Sequence, residues 1–152
     1  MPPRERPSHM ELALTEAHKA AARGEVPVGA VIADADGRVI ASAGNRTREL
    51  NDPSAHAEML AIRAACAAIG SERLTGLDLY VTLEPCPMCA GVISNARIRR
   101  LYYAASDAKS GGVEHGPRVF SHATCHHAPD VYPGLGEAAA SELLTSFFAA
   151  RR

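Results

Sequence analysis

Apolar and polar positions divide this chain into short blocks, some with a helical period and some with a strand period. Ser8-His9-Met10-Glu11 has the spacing of a capping box and opens a first predicted helix that runs to about Arg23. Gly24 to Pro27 breaks it, and Val28-Gly29-Ala30-Val31-Ile32-Ala33 reads as a strand. Asp34-Ala35-Asp36-Gly37 is hairpin-turn chemistry, with Val39-Ile40-Ala41 returning. A polar loop from Asn45 to Ser54 leads into Ala55 to Ile69, a stretch rich in strong helix formers. Leu77 to Leu83 is a strong strand, a short helix follows to about Asn95, and Ile98 to Ala104 is the next strand. The spacing of that strand-helix-strand unit is short for a crossover but suits a parallel pair. A last helix is predicted from about Glu137 to Ala150, with the i,i+4 pairs Leu143/Phe147 and Leu144/Phe148 on its buried side. Ser106 to Pro133 carries Gly111-Gly112 and several histidines but no clean period, so no regular element is predicted there. The order αββαβαβ…α points to an α/β fold with a mixed central sheet covered by helices.

Bulk properties narrow this picture in a few places. At 152 residues the chain reads as one domain, 8–152, preceded by a Pro- and Arg-rich stretch, 1–7, expected to be disordered. No apolar run approaches the ~20 residues needed to span a bilayer. The opening MPPRERPSHMEL has no apolar core segment, so no secretory signal is expected. Four cysteines in such a chain fit a reducing cytoplasm better than a disulfide scaffold. The net charge of −1 predicts no bulk attraction to nucleic acid. Arg97, Arg99 and Arg100, and the pair Arg151-Arg152, are each read as solvated surface rather than as a phosphate contact.

The chemistry is concentrated in two short motifs. His56-Ala57-Glu58 is followed by Pro85-Cys86-Pro87-Met88-Cys89. His56, Cys86 and Cys89 are three zinc-grade ligands, and Glu58 is a carboxylate that need not be one. Three protein ligands with a fourth position left for water is the make-up of a catalytic zinc site, whereas a closed structural site wants a fourth Cys or His. Residues two apart point about 200° from each other within a helix, so His56 and Glu58 share a site only where a helix begins. Asp52-Pro53-Ser54 supplies turn and cap chemistry for such a start. In the second motif Cys86 can cap, Pro87 suits the first helical position, and Cys89 lies one turn on. Helix N-termini stabilise thiolates, so two helix starts facing one ion is a coherent arrangement. A lone C-x-x-C is also found in redox dithiols and zinc ribbons. A redox pair gives no role to His56 or Glu58, and a ribbon lacks its second C-x-x-C. Cys66 reads as a core residue, and Cys125-His126-His127 as an ordinary loop, with a second metal site as the alternative.

H-x-E followed by P-C-x-x-C is a signature already known for zinc nucleobase deaminases. Further segments narrow the likeness: Gly24-Glu25-Val26-Pro27-Val28-Gly29, Gly44-Asn45-Arg46, Tyr80-Val81-Thr82-Leu83-Glu84 ahead of the cysteines, and Ser106-Asp107-Ala108-Lys109-Ser110-Gly111-Gly112. With these, nearly the whole chain resembles the bacterial tRNA-specific adenosine deaminases of the TadA type, within the cytidine deaminase-like superfamily. It departs from many of them at Gly44, where they carry Trp, and at Cys125-His126-His127, where they carry Asn-His-Arg. The resemblance implies a three-layer α/β/α fold, one zinc ion per subunit, and a cytoplasmic homodimer. The implied reaction is hydrolysis of adenosine to inosine at the wobble position of a tRNA anticodon stem-loop. Glu58 would carry protons from water to ring N1 and to the departing ammonia. Asn45 can donate to a purine N7, and the Ala57 backbone N–H to the base edge. Asp107 and Lys109 fall in the loop that the resemblance places at the mouth of the site. Asp107 there makes sense as an acceptor for a ribose 2′-OH. Two other functions use the same residues: deamination of a free base or nucleoside, and a zinc-stabilised interaction module without catalysis.

Overall fold

The structure is a computed structural model and describes residues 8–151; the expectation for 1–7 falls outside the described residues. Its elements are α1 (His9–Ala22), β1 (Gly29–Ala33), β2 (Val39–Gly44), α2 (Ala57–Ile69), β3 (Asp78–Leu83), α3 (Pro87–Asn95), β4 (Arg100–Ala105), β5 (Asp130–Pro133) and α4 (Glu137–Ala149), with a short 3₁₀ turn at Val119–Ser121. The strands form one sheet in the order β2-β1-β3-β4-β5. β1 is antiparallel to β2 and β3, while β3, β4 and β5 run parallel. The predicted hairpin and the predicted parallel pair are both present.

Strand alternation assigns side chains to the two faces. Ala30, Ile32, Leu79, Val81, Leu101 and Tyr103 point to one side and pack with Ala61, Ile62 and Ala65 of α2 and Ile93 of α3. Val31, Tyr80, Tyr102 and Ala104 point to the other, where Met10 and Ala13 of α1 and Ala140 of α4 cover them. The result is three layers, α/β/α, with β1 buried along its whole length. The capping box forms as expected: the Ser8 hydroxyl accepts the Glu11 N–H at 3.1 Å, and the Glu11 carboxylate accepts the Ser8 N–H at 3.1 Å. Among the described residues, no helix is long and apolar enough to cross a membrane.

Gly29 sets the distance between α1 and the sheet. A Cβ there would overlap the Ala13 carbonyl oxygen and lie 2.6 Å from the Ala17 nitrogen, both backbone atoms. Gly29→Ala is therefore expected to cost roughly 1–3 kcal/mol or more, because a helix backbone must move; chemical denaturation measures it, and an unchanged midpoint would show that α1 yields freely. Gly44 is confined in the same way, a Cβ there falling 2.8 Å from the Glu16 carbonyl oxygen of α1.

Three expectations are corrected. β5 lies inside the stretch where no element was predicted. It is an exposed edge strand with only Val131 partly buried, so it has no two-sided period to read. Tyr132 on it continues a row of stacked rings through Tyr102 and Tyr80, with centroids 4.9 and 4.5 Å apart. In α4, Phe147 is buried, but Phe148 is 46% exposed and only meets the edge of Phe147. Arg99 of the arginine cluster is not simple solvated surface: it makes a two-pronged ion pair with buried Asp78, at 2.9 and 2.7 Å.

Candidate active site

Both chemical motifs sit at helix starts. His56 is the N-cap of α2, in an extended conformation (φ −72°, ψ 152°), so it stands off the helical face while Glu58 lies in the first turn. The predicted start at Ala55 is two residues early. Ser54 does not cap the helix; its hydroxyl and N–H both donate to Asp52, whose carboxyl they hold below its usual range. Cys86 is likewise the extended N-cap of α3, with Pro87 behind it and Cys89 at the end of the first turn. Neither cap residue spends its side chain on the helix, which leaves the imidazole and the thiol free to converge.

They do converge. His56 Nδ1 lies 3.6 Å from the Sγ atoms of both Cys86 and Cys89. The three ligand atoms are within 4.8 Å of one another, the one such group found among the described residues. A tetrahedral zinc with ordinary Zn–N and Zn–S bonds separates a nitrogen from a sulfur by about 3.6 Å, so the donor set fits the ion in both chemistry and spacing. The charges agree. The Cys86 thiol is pulled down to about 4, first by the Cys89 S–H bonded to it and then by His56, against the effect of burial. Cys89 is pushed up, by that same shared bond and by burial. One thiolate therefore forms readily, and the second waits for a cation. The bond to Cys86 raises His56. Glu58 is only 4% exposed and stands outside the three-ligand group, and burial pushes its carboxyl up.

These groups face a cavity of about 230 Å³ lined by Val26, Val28, Asn45, Thr47, His56, Glu58, Leu83, Glu84, Cys86, Asp107 and Ser110. Asn45 is buried, and its Oδ1 accepts the Ala57 N–H at 2.7 Å. That bond already satisfies the Ala57 N–H, and Ala57 is not among the residues lining the cavity. It also turns the Asn45 amide so that its NH₂ is the free end. Asp107 Oδ1 accepts the N–H groups of Lys109 and Ser110 at 3.2 and 3.0 Å, so this carboxylate caps its own loop with one oxygen. Lys109 is exposed on that loop and does not line the cavity. Glu25, itself 1% exposed, anchors the loop after Asn45 by accepting the N–H groups of Arg48 and Glu49, both at 3.0 Å.

Val26, Val28, Thr47, Leu83, Glu84 and Ser110 are lining residues not singled out as site residues from sequence. Apart from Thr47, which lies just past one of them, their only signal was membership of the quoted segments. Among the described residues, Cys125, His126 and His127 do not bring three ligand atoms together. The Cys125 thiol lies 3.2 Å from the His127 carbonyl and 3.3 Å from Ser94 Oγ, and the His127 ring bonds to the Ile98 carbonyl at 2.7 Å. A second cavity, of about 280 Å³, lies there between α3 and the loop, and it shares no lining residue with the first.

The comparisons with known proteins agree with this geometry. The family model for the cytidine and deoxycytidylate deaminase zinc-binding region matches residues 3–105. The chain is 64% identical over 148 residues to a tRNA-specific adenosine deaminase from Agrobacterium fabrum, covering 97% of each chain. It is 45% identical over 141 residues to that of Aquifex aeolicus, covering 91% of each. Among solved structures, one from a study of A-to-I editing by tRNA:A34 deaminases at the wobble position of transfer RNA is 66% identical, with a TM-score of 0.88 over 90% of this chain and 98% of that one. Guanine deaminase from Bacillus subtilis is 33% identical, with a TM-score of 0.63 over 94% of this chain and 91% of that one.

Proposed function

The chain belongs to the cytidine and deoxycytidylate deaminase zinc-binding family, on its tRNA-specific adenosine deaminase branch, and from that premise we propose that it hydrolyses adenosine to inosine and ammonia at the wobble position of a tRNA anticodon. The observation that carries the reading is the convergence of His56, Cys86 and Cys89 beside a buried carboxylate that stays off the ligand set. The proposed ligands hold one zinc per subunit. When bound, the metal supplies the Lewis acidity that makes water a nucleophile at neutral pH.

The remaining steps belong to the chain. Glu58 accepts the proton of the attacking water, delivers one to ring N1, and then protonates the amine as it leaves C6. Burial raises the Glu58 carboxyl, so it holds a proton more readily than an exposed carboxylate, which favours its taking one from water. Asn45, with its oxygen committed to Ala57, offers its NH₂ to the purine N7. Leu83, Val26 and Val28 supply apolar walls. Lys109, exposed two residues beyond Asp107, offers an ammonium to phosphate. The proposed assembly is a cytoplasmic homodimer of this single domain, which enlarges the surface available to an anticodon loop.

The deciding experiment supplies an anticodon stem-loop with wobble adenosine, and separately guanine, cytosine and cytidine. Inosine and ammonia from the stem-loop alone are expected. Turnover of guanine without any inosine from the stem-loop would replace this reading with free-base deamination.

Asp107 gives a second measurement. Its Oδ1 holds the loop, which leaves Oδ2 to accept a 2′-OH. Asp107→Asn preserves the acceptor that caps the loop and removes the charge that a deoxyribose leaves unpaired. The variant is expected to narrow the RNA-over-DNA preference on matched hairpins, chiefly by raising activity on single-stranded DNA. An unchanged ratio would leave Asp107 as a loop cap only.

A further inference from the structure

One buried ionisable group at the site has no part in the chemistry above. Glu84 is 2% exposed and stands immediately before Pro85-Cys86. Its Oε2 accepts the backbone N–H groups of Val113, Glu114 and His115 at 3.2, 3.0 and 3.1 Å. Its Oε1 accepts the Asp107 N–H at 3.1 Å and pairs with His115 Nδ1 at 2.7 Å. A buried carboxylate is tolerated only when its lone pairs are filled, and here all the donors come from one loop, 107–115. The same loop sends Asp107 and Ser110 into the wall of the cavity.

The two glycines of the loop show how closely it is seated. The Gly112 N–H donates to the Pro85 carbonyl at 2.8 Å. A Cβ on Gly112 would lie 2.6 Å from the Pro87 nitrogen and 2.8 Å from the Cys86 carbonyl carbon, and one on Gly111 would overlap Glu84 Oε2. The loop therefore rests directly on the backbone that presents Cys86.

We propose that Glu84 and His115 are a pair of positioning residues that hold the 107–115 loop against the Cys86 segment, so that the RNA-facing wall of the pocket is formed before substrate arrives. The proposal rests on the RNA deaminase reading. A wall that is already ordered costs the substrate less conformational entropy on binding. The pair should therefore act on substrate affinity and leave the chemical step and the metal alone.

Two substitutions separate this role from general support. Glu84→Gln keeps the side-chain shape but sets an NH₂ against either the three backbone N–H groups or the Asp107 N–H. His115→Ala removes one donor from a side chain that is 38% exposed and not part of the core. His115→Gln, which restores a donor, is the conservative control. In the zinc-loaded protein, hydrogen exchange at the amides of Asp107, Val113 and Glu114 is expected to quicken at least ~10-fold in the first two variants, with Leu79 and Val81 of β3 unchanged. On the anticodon stem-loop, KM should rise at least ~10-fold while kcat stays within about 3-fold and zinc content holds, with recovery in His115→Gln. Unchanged exchange in both variants overturns the proposal. So does a fall in kcat with zinc loss at constant KM, which would make Glu84 a support for the metal ligands. Should Glu84→Gln fail to fold, His115→Ala decides. Should the parent form no inosine, the RNA reading fails, and amide exchange by itself judges the loop contact.

Discussion

Glu58→Ala is expected to lower turnover by at least ~10²–10⁴-fold, the contribution usual for a general acid and base, while zinc and RNA stay bound. The reason is geometric. Glu58 lies in the first turn of α2, buried beside the donor set but outside it, so its removal takes away neither a ligand nor a phosphate contact. Thermal stability should not fall, because burial disfavours the charged form of this carboxyl and its removal relieves that cost. Elemental analysis, a filter-binding titration with the stem-loop and a single-turnover assay together test the expectation. Turnover within a few-fold of the parent would mean that another group moves the protons. Loss of zinc would mean that Glu58 belongs to the metal shell.

Cys86→Ser and Cys89→Ser are expected to lose zinc and thermal stability together. Metal binding and folding are linked, and apparent binding free energies for structural zinc in peptides are roughly 10–16 kcal/mol. Even a fraction of that is comparable with the total stability of a small domain. The link is expected to be strong because the proposed ligands sit at the starts of two different helices and Cys89 is fully buried. A zinc held by these residues would join the start of α2 to the start of α3. In its absence the second thiol stays protonated and the two helix starts meet with no cation between them. Each variant should show substoichiometric zinc by elemental analysis and a lower melting temperature, and chelation of the parent should reproduce the melting change. Full zinc occupancy in either variant would strike that cysteine from the ligand set.

The parts of this molecule that could be read in advance are those in which neighbours in sequence are neighbours in space. The capping box at Ser8, the hairpin from β1 to β2 and the parallel pair β3/β4 follow from short-range periodicity and turn chemistry. The convergence of His56 with Cys86 and Cys89 was also legible, because a ligand at a helix start has few directions open to it. The strand β5 was not, since a short edge strand with one partly buried residue leaves no period behind. Phe148 was misplaced because i,i+4 spacing shows which residues share a face, but not how wide a stripe the neighbouring layer covers.

What the sequence determined by itself is the donor set: His56, Cys86 and Cys89, side chains able to hold a soft or borderline ion, and the carboxylate Glu58, at spacings that let two helix starts face one another. Tertiary structure decided how the site is held and which atoms remain free to act. The Ala57 N–H is taken by Asn45, Glu25 holds the loop after Asn45, and Glu84 holds the 107–115 loop. Each is a side chain meeting a backbone group from a distant part of the chain. Such bonds have no residue-type signature, because every non-proline residue carries the same N–H. Only the folded path of the chain selects which N–H a buried oxygen will find.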